Sequence, residues 1–287
     1  MNSIKISELF YSIQGEGRYM GVPSVFLRTF GCNFTCDGFG MQRGESSLER
    51  IAIGINAKDY KSYRDLPLVS TGCDSYASWD PRFKHLSPRI SVDGIANAIK
   101  EILPFKEWRD EHLVITGGEP LLGWQKMYPK LLSHPFMENL KEITFETNGT
   151  QKLKPELVDF LYEWSEGDPF STRSYDSITF SVSAKLSVSG EKRERAIRPD
   201  VVCQYQESGH VYLKFVISSQ EDMDEVLEVS ELYRKEGFIG NVYVMPVGGV
   251  ESVYKLNNRN VAEFAMKHGL RYSDRLQVPL FKNEWGT

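Results

Sequence analysis

Short β-forming runs separated by amphipathic stretches predict an α/β fold built on a mostly parallel sheet. Two observations carry this. Six apolar runs rich in β-branched and aromatic residues recur along the 287 residues, and apolar positions at helical spacing lie between most of them. Six strands are fewer than the eight of a closed barrel, so an open or partial barrel of (β/α)6 type is expected, with ligand loops at the carboxyl ends of the strands.

In chain order, the strand-like runs cover 24–30, 112–116, 142–146, 177–183, 211–217 and 241–245. Val92, Ile95, Ile99 and Ile102 mark one face of a helix, and helical patterns also cover roughly 125–132, 154–164, 221–235 and 258–268. Two stretches fit the alternation poorly. One is 37–72, which mixes Gly, Ser and charges with a short apolar piece from Ile51 to Ile55. The other is 187–200, whose charged run over 191–195 reads as a solvated surface loop. No internal repeat or low-complexity tract is present, so the chain reads as one domain over 1–287 with 37–72 inserted.

Composition narrows the class. Hydrophobic residues make up 41% and charged residues 25%, as in ordinary globular proteins. A net charge of -5 argues against a general nucleic-acid binder. The four cysteines do not space like a disulfide framework, which points to a reducing cytoplasm. The first residues lack a signal-peptide layout, and no apolar run approaches the ~18 residues of a membrane span. A soluble cytoplasmic protein is expected.

The chemistry-bearing residues come next. Cys32 and Cys36 form a C-x3-C pair just past the first strand-like run, and Cys73 follows only after the long interruption. Three thiolates on one loop can hold three irons of a [4Fe–4S] cluster and leave the fourth open to a ligand. Spacing alone leaves other roles open. Cys203, between apolar neighbours, reads as a small buried hydrophobe. A structural zinc site needs four ligands, usually as two close pairs, and no histidine lies within a few residues of Cys36 or Cys73.

Thr116 to Pro120 (Thr-Gly-Gly-Glu-Pro) directly follows a strand-like run, and its glycines let backbone approach a ligand; a plain strand-to-helix turn would look the same. The segment from Tyr11 to Gly17, followed by Gly21 and Pro23, is glycine-rich but lacks the order of a phosphate loop and does not follow a strand-like run. Gln14 and Glu16 there have the chemistry to bond the edge of a flat heterocycle. Arg28 can grip a carboxylate with two prongs, or serve as an ordinary ion pair.

Together, the cysteine loop, Thr-Gly-Gly-Glu-Pro and the Gln-Gly-Glu-Gly segment resemble the radical S-adenosylmethionine enzymes. Within them they most resemble the 7-carboxy-7-deazaguanine synthase family. Cys73-Asp-Ser-Tyr-Ala-Ser-Trp-Asp80 reproduces the family's third cysteine and the tail that follows it, but thirty-six residues separate it here from Cys36 where the family has two. Such an excursion is feasible if its ends meet, because loop-closure entropy grows slowly with length.

The resemblance implies a partial radical-enzyme barrel carrying a [4Fe–4S] cluster on Cys32, Cys36 and Cys73. It places S-adenosylmethionine near Gly72, Cys73, Asp74, Gly118, Ser183, Ala184, Lys185, Met245, Pro246, Val247 and Gly248. A pterin substrate is implied near Ile13, Gln14, Gly15, Glu16, Arg28 and Thr116, with Mg²⁺ at Ser75. The implied reaction contracts the ring of 6-carboxy-5,6,7,8-tetrahydropterin with loss of ammonia. An electron donor such as flavodoxin and a homodimer are implied as partners, with no membrane and no nucleic acid. Near the end of the chain the family's histidine is missing from Pro279 to Lys282, although Trp285 and Gly286 remain. An activase acting on a partner protein, a non-catalytic regulatory homologue and a zinc-binding module are the competing readings. The insertion 37–72 is expected to form a cap or partner surface near the cluster.

Overall fold

Alternation along the strands divides the sheet into an apolar convex face and a polar concave one. The computed structural model describes residues 2–166 and 172–287. Nine strands form one sheet in the order β3-β1-β2-β4-β5-β6-β7-β8-β9. They are β1 (Ser3–Ile13), β2 (Pro23–Thr29), β3 (Arg89–Ser91), β4 (His112–Gly117), β5 (Ile143–Thr147), β6 (Ile178–Val182), β7 (His210–Ile217), β8 (Val242–Pro246) and β9 (Arg271–Tyr272). From β2 across to β9 every neighbouring pair is parallel, whereas β1 runs antiparallel to both β2 and β3. The sheet does not close, in line with the partial barrel read from the sequence.

Three strands escape the sequence reading. β3 and β9 are too short to leave a pattern. In β1 the ladder with β2 shifts register between Ile6 and Glu8. This bulge turns Ile4 and Ile6 toward the convex face together with Leu9 and Tyr11, and sends Glu8 and Phe10 to the other face. A two-residue period broken in the middle hides the strand. The glycine-rich turn after Ile13 therefore does follow a strand, contrary to the sequence reading.

The helices are α1 (Glu49–Gly54), α2 (Val92–Ile102), α3 (Tyr128–Leu132), α4 (Pro155–Glu166), α5 (Arg193–Ala196), α6 (Pro199–Tyr205), α7 (Gln220–Lys235), α8 (Glu251–His268) and α9 (Gln277–Phe281). Helix α8 starts seven residues before the predicted 258, its early turns masked in sequence by Asn257 and Asn258. The main core lies between the convex face and the helices. Leu27, Ile115, Phe145, Phe180 and Phe215 meet Ile95, Leu131, Leu161, Val229 and Phe264 there. At about 25 cal/mol per Å² of apolar surface, this layer supplies most of the burial energy.

The concave face carries the small apolar cluster of Phe10, Phe26 and Val114, but its alternate residues also include Arg28, Thr116, Thr144, Glu146, Ser181 and Lys214, although central parallel strands are ordinarily apolar on both sides. Residues 37–72 add a second small core, where Tyr63, Leu66 and Val69 pack with Tyr76, Phe83 and the tail residue Trp285. Among the described residues no helix is long and apolar enough to cross a membrane.

Candidate functional site

A cavity of about 270 Å³ opens over the concave face at the carboxyl ends of the parallel strands. Cys32, Cys36 and Cys73 all line it, and pack around Phe34, Phe39 and Ala196. The loop after β2 is shaped from several sides. Phe34 N–H donates to Cys32 Sγ at 3.4 Å, and Trp79 Nε1 donates to Cys73 Sγ at 3.3 Å. Cys36 sits at φ 51, a left-handed turn that Glu191 holds by accepting from the N–H groups of Thr35 at 2.7 Å and Cys36 at 2.9 Å. Glu191 thus departs from the surface-loop reading of the run 191–195; Lys192, Glu194 and Arg195 remain exposed.

Burial pushes the Cys32 thiol up to about 12 and the Cys73 thiol up to about 11, and raises Cys36 as well; charge on the neighbouring sulfurs adds to this for Cys32 and Cys36. Such thiols are poor nucleophiles until a metal takes the sulfur and displaces the proton. The Lys185 charge acts on all three in the opposite sense. Among the described residues no three His, Cys, Asp or Glu side chains are gathered tightly enough for a single ion. Three cavity-lining thiols free of disulfides supply the donor set of a [4Fe–4S] cluster with one open iron, and are one ligand short of the four that a structural zinc site needs. Cys203 lies apart, on α6 against the core.

Gly118 follows β4 and passes so close to the cysteine loop that a Cβ would lie 2.5 Å from Gly31 O and 2.7 Å from Cys32 Cβ. Beside it, Glu119 is fully buried and accepts from Leu121 N at 3.0 Å, Thr147 Oγ1 at 2.8 Å and Asn148 N at 2.6 Å. Burial raises its carboxyl to about 7 against these donors. Ser183 and Lys185 line the cavity after β6, with Lys185 Nζ donating to Ser183 Oγ at 2.9 Å. Met245 near the end of β8 and Val247 and Gly248 just past it line the cavity as well, with Gly72 and Asp74 on the insertion side. Ala184 and Pro246 do not. Both are buried away from it, since alternation along an extended segment sends neighbours to opposite sides.

The expected substrate residues also converge. Ile13 and Gly15 line the cavity; a Cβ on Gly15 would fall 1.9 Å from Gln277 Oε1. Gln14 Nε2 donates to Glu146 Oε1 at 3.1 Å, and Thr116 Oγ1 donates to Glu146 Oε2 at 3.0 Å. Arg28 lies opposite Glu8 in the β1–β2 ladder, with Nε 3.0 Å from Glu8 Oε2 but without hydrogen-bond alignment. Its Nη1 donates to Ser75 Oγ at 2.9 Å, and Ser75 in turn donates to Asp74 at 3.3 Å.

Glu16 is spent within the protein. Lys214 Nζ lies 2.5 Å away, Arg275 Nε 3.2 Å, and Gln277 Nε2 donates at 2.8 Å. Arg275 also pairs with Asp74 at 2.5 Å. Burial would raise the Glu16 carboxyl, but the Lys214 and Arg275 charges outweigh it and hold the group at about 2. Burial disfavours the Lys214 ammonium, and Glu16 and Glu146 more than offset this.

Glu8, Glu146, Ser181, Lys214, Arg275 and Gln277 were not singled out from sequence. For Glu146, Ser181 and Lys214 a signal existed: each is a polar residue at an alternate position of an otherwise apolar parallel strand. Among the described residues, ten buried side-chain polar atoms lack a hydrogen bond, and five belong to this cavity: Ser181 Oγ, Gln277 Oε1 and Trp285 Nε1, together with Glu8 Oε2 and Arg28 Nε, which satisfy each other as an ion pair at 3.0 Å. Buried polar groups are ordinarily satisfied, so Ser181 Oγ, Gln277 Oε1 and Trp285 Nε1 are the groups of this cavity with hydrogen-bonding capacity to offer a polar ligand.

No protein-family profile matches the chain. Similarity to characterised proteins is nonetheless extensive. A 7-carboxy-7-deazaguanine synthase of Halobacterium salinarum is 29% identical over 98% of this chain and 91% of its own. One from Rhodopirellula baltica is 29% identical over 100% and 90%, and one from Pyrobaculum aerophilum is 25% identical over 99% and 97%. QueE from Escherichia coli shares the fold, with a TM-score of 0.53, 18% identity, and 94% of this chain and 93% of that one covered. The relatives' names are those of an enzyme, and by sequence similarity along its whole length the chain is a homologue of the 7-carboxy-7-deazaguanine synthases.

Proposed function

We propose that the chain catalyses the radical ring contraction of 6-carboxy-5,6,7,8-tetrahydropterin to 7-carboxy-7-deazaguanine with loss of ammonia, as a radical S-adenosylmethionine lyase. One observation carries the reading: cysteines separated by thirty-six intervening residues meet in the cavity that also holds Gln14, Thr116 and Arg28. Cys32, Cys36 and Cys73 would hold a [4Fe–4S] cluster. When bound, that cluster and S-adenosylmethionine supply one-electron chemistry that generates a hydrogen-abstracting radical.

The chain's own work is binding, orientation and exclusion of water. Gly118 brings backbone to the cofactor side without a Cβ, and Ser183, Lys185, Met245 and Val247 line the same side. Gln14, Thr116 and Glu146 present a fixed set of donors and acceptors to the edge of a heterocycle, and Arg28 offers a charge to its carboxylate. Glu16 acts one step back, locking the Gln14–Gly17 turn to β7 and the tail; its N–H donates to Gln14 Oε1 at 3.0 Å.

Magnesium is proposed at Ser75 on narrower grounds. The hydroxyl and Asp74 are oxygen donors, but the Arg28 guanidinium opposes a divalent ion there until a substrate carboxylate draws it away. A flavodoxin-type reductant, homodimerisation and a cytoplasmic setting belong to the same proposal.

The test is an anaerobic incubation of iron- and sulfide-reconstituted protein with S-adenosylmethionine, reductant, Mg²⁺ and the carboxy-tetrahydropterin. A product with the mass of 7-carboxy-7-deazaguanine, abolished in Cys73→Ala, is expected. Intact cluster without that product would refute the assignment.

A further inference from the structure

Residues 37–72 leave Cys36 and return to Cys73, and their two ends are tied together. Gly72 N–H donates to Phe39 O at 2.7 Å, Ser47 N–H donates to Asp37 O at 2.7 Å, and the Ser47 and Thr71 hydroxyls meet at 2.7 Å. From α1, inside this segment, Arg50 reaches both cysteine flanks at once. Its Nε and Nη2 grip Asp37, the residue after Cys36, at 3.2 and 2.8 Å. Its Nη1 donates to Asp80 Oδ2 at 2.7 Å, and its guanidinium lies 4.7 Å from the centre of the Trp79 ring. Trp79 is the residue whose indole N–H reaches Cys73 Sγ. The assembly is well shielded, with the Arg50 side chain 14% exposed and Asp80 2%.

We propose that Arg50 is a positioning residue for the iron–sulfur site: it holds Asp37 and Trp79 together, sets Cys36 and Cys73 in register, and aims the Trp79 N–H at the third sulfur. The insertion therefore carries the clasp that makes its own length tolerable. This rests on the cluster reading above. The chemistry selects arginine. A planar fork satisfies one carboxylate with two bonds, leaves a third prong for Asp80, and stacks on an indole. A hydrogen bond to a ligand sulfur withdraws charge from it and raises the reduction potential of the cluster.

The test uses the full chain reconstituted under anaerobic conditions, as wild type, Trp79→Phe, Arg50→Lys and Arg50→Met. Iron and sulfide per chain are followed over time, and the midpoint potential is read by spectroscopic titration. Trp79→Phe keeps the ring and loses the donor, so it is expected to retain cluster with a more negative midpoint. Arg50→Met is expected to lose cluster about 10-fold faster, as is usual when an outer-shell partner of a metal site is removed. Arg50→Lys keeps the charge without the fork and should fall between on retention, with a midpoint near that of wild type.

A wild-type chain that holds no cluster overturns the proposed function and this inference together. A wild-type cluster whose retention and midpoint are unmoved in all three variants overturns this inference alone. Circular dichroism of the metal-free chains identifies a variant that fails to fold; Trp79→Phe and Arg50→Lys then decide.

Discussion

Replacing Lys214 with Met should expose how the floor of the cavity is held together. Lys214 is 6% exposed and Glu16 15%, with 2.5 Å between their charged atoms. Removing one member of a buried pair costs about 3–5 kcal/mol, much of it from leaving the partner's charge uncompensated. Here Glu16 keeps Arg275 and Gln277, so the lower end, about 3 kcal/mol, is expected. For a chain of this length that corresponds to roughly 6 °C in melting temperature.

The assay is urea denaturation of the metal-free chain for wild type, Lys214→Met, Glu16→Gln and the double variant. The double variant should recover about 1 kcal/mol or more relative to the sum of the singles, because no stranded charge remains. The Glu16 carboxyl is held at about 2, below its unfolded value near ~4.3. Its stabilisation is therefore present above pH ~4.3 and lost as pH falls through about 2; Glu16→Gln should lack that acid-side loss. A cost below about 1 kcal/mol for Lys214→Met with no coupling would refute the account of a structural charge network.

Gly118→Ala places a methyl against Gly31 and Cys32, so a loss of about 1–3 kcal/mol is expected, with poorer iron retention on reconstitution; denaturation and iron analysis check both. Glu191→Ala frees the N–H groups of Thr35 and Cys36 and should cost about 1–3 kcal/mol, with faster cluster loss read from the visible spectrum. Glu119, raised to about 7, contributes stability that is complete below its unfolded pKa of ~4.3 and is lost as pH rises through about 7. Glu119→Gln should flatten that slope. It should also cost about 1–3 kcal/mol, since its amide must face a backbone N–H, as denaturation across pH 5–8 would show.

The parallel strands and most helices were legible because burial imposes a clear period on runs such as that of β7 or the face of α2. β1 was not, since its bulge reverses the side-chain period halfway. The three cysteines, Gln14, Gly15, Arg28 and Thr116 were legible from short motifs. Lys214, Arg275 and Gln277 were not, because each acquires its role only from Glu16, about 200 or more positions earlier in the chain. Sequence spacing carries no trace of a partner that folding alone brings near. Glu191 was hidden for a different reason: its charged neighbours do face water, and one inward-turned carboxylate leaves the average of the run unchanged.

The division of the sheet into an oily back and a wet front separates two kinds of mutational freedom. Cohesion comes from the helix-covered back, where Phe145, Phe180 and Phe215 sit. Efforts to raise heat tolerance can therefore refine that side without touching the chamber in front. A molecule that binds in the chamber and not to the unfolded chain should, by mass action, raise the stability of the whole protein, the back included.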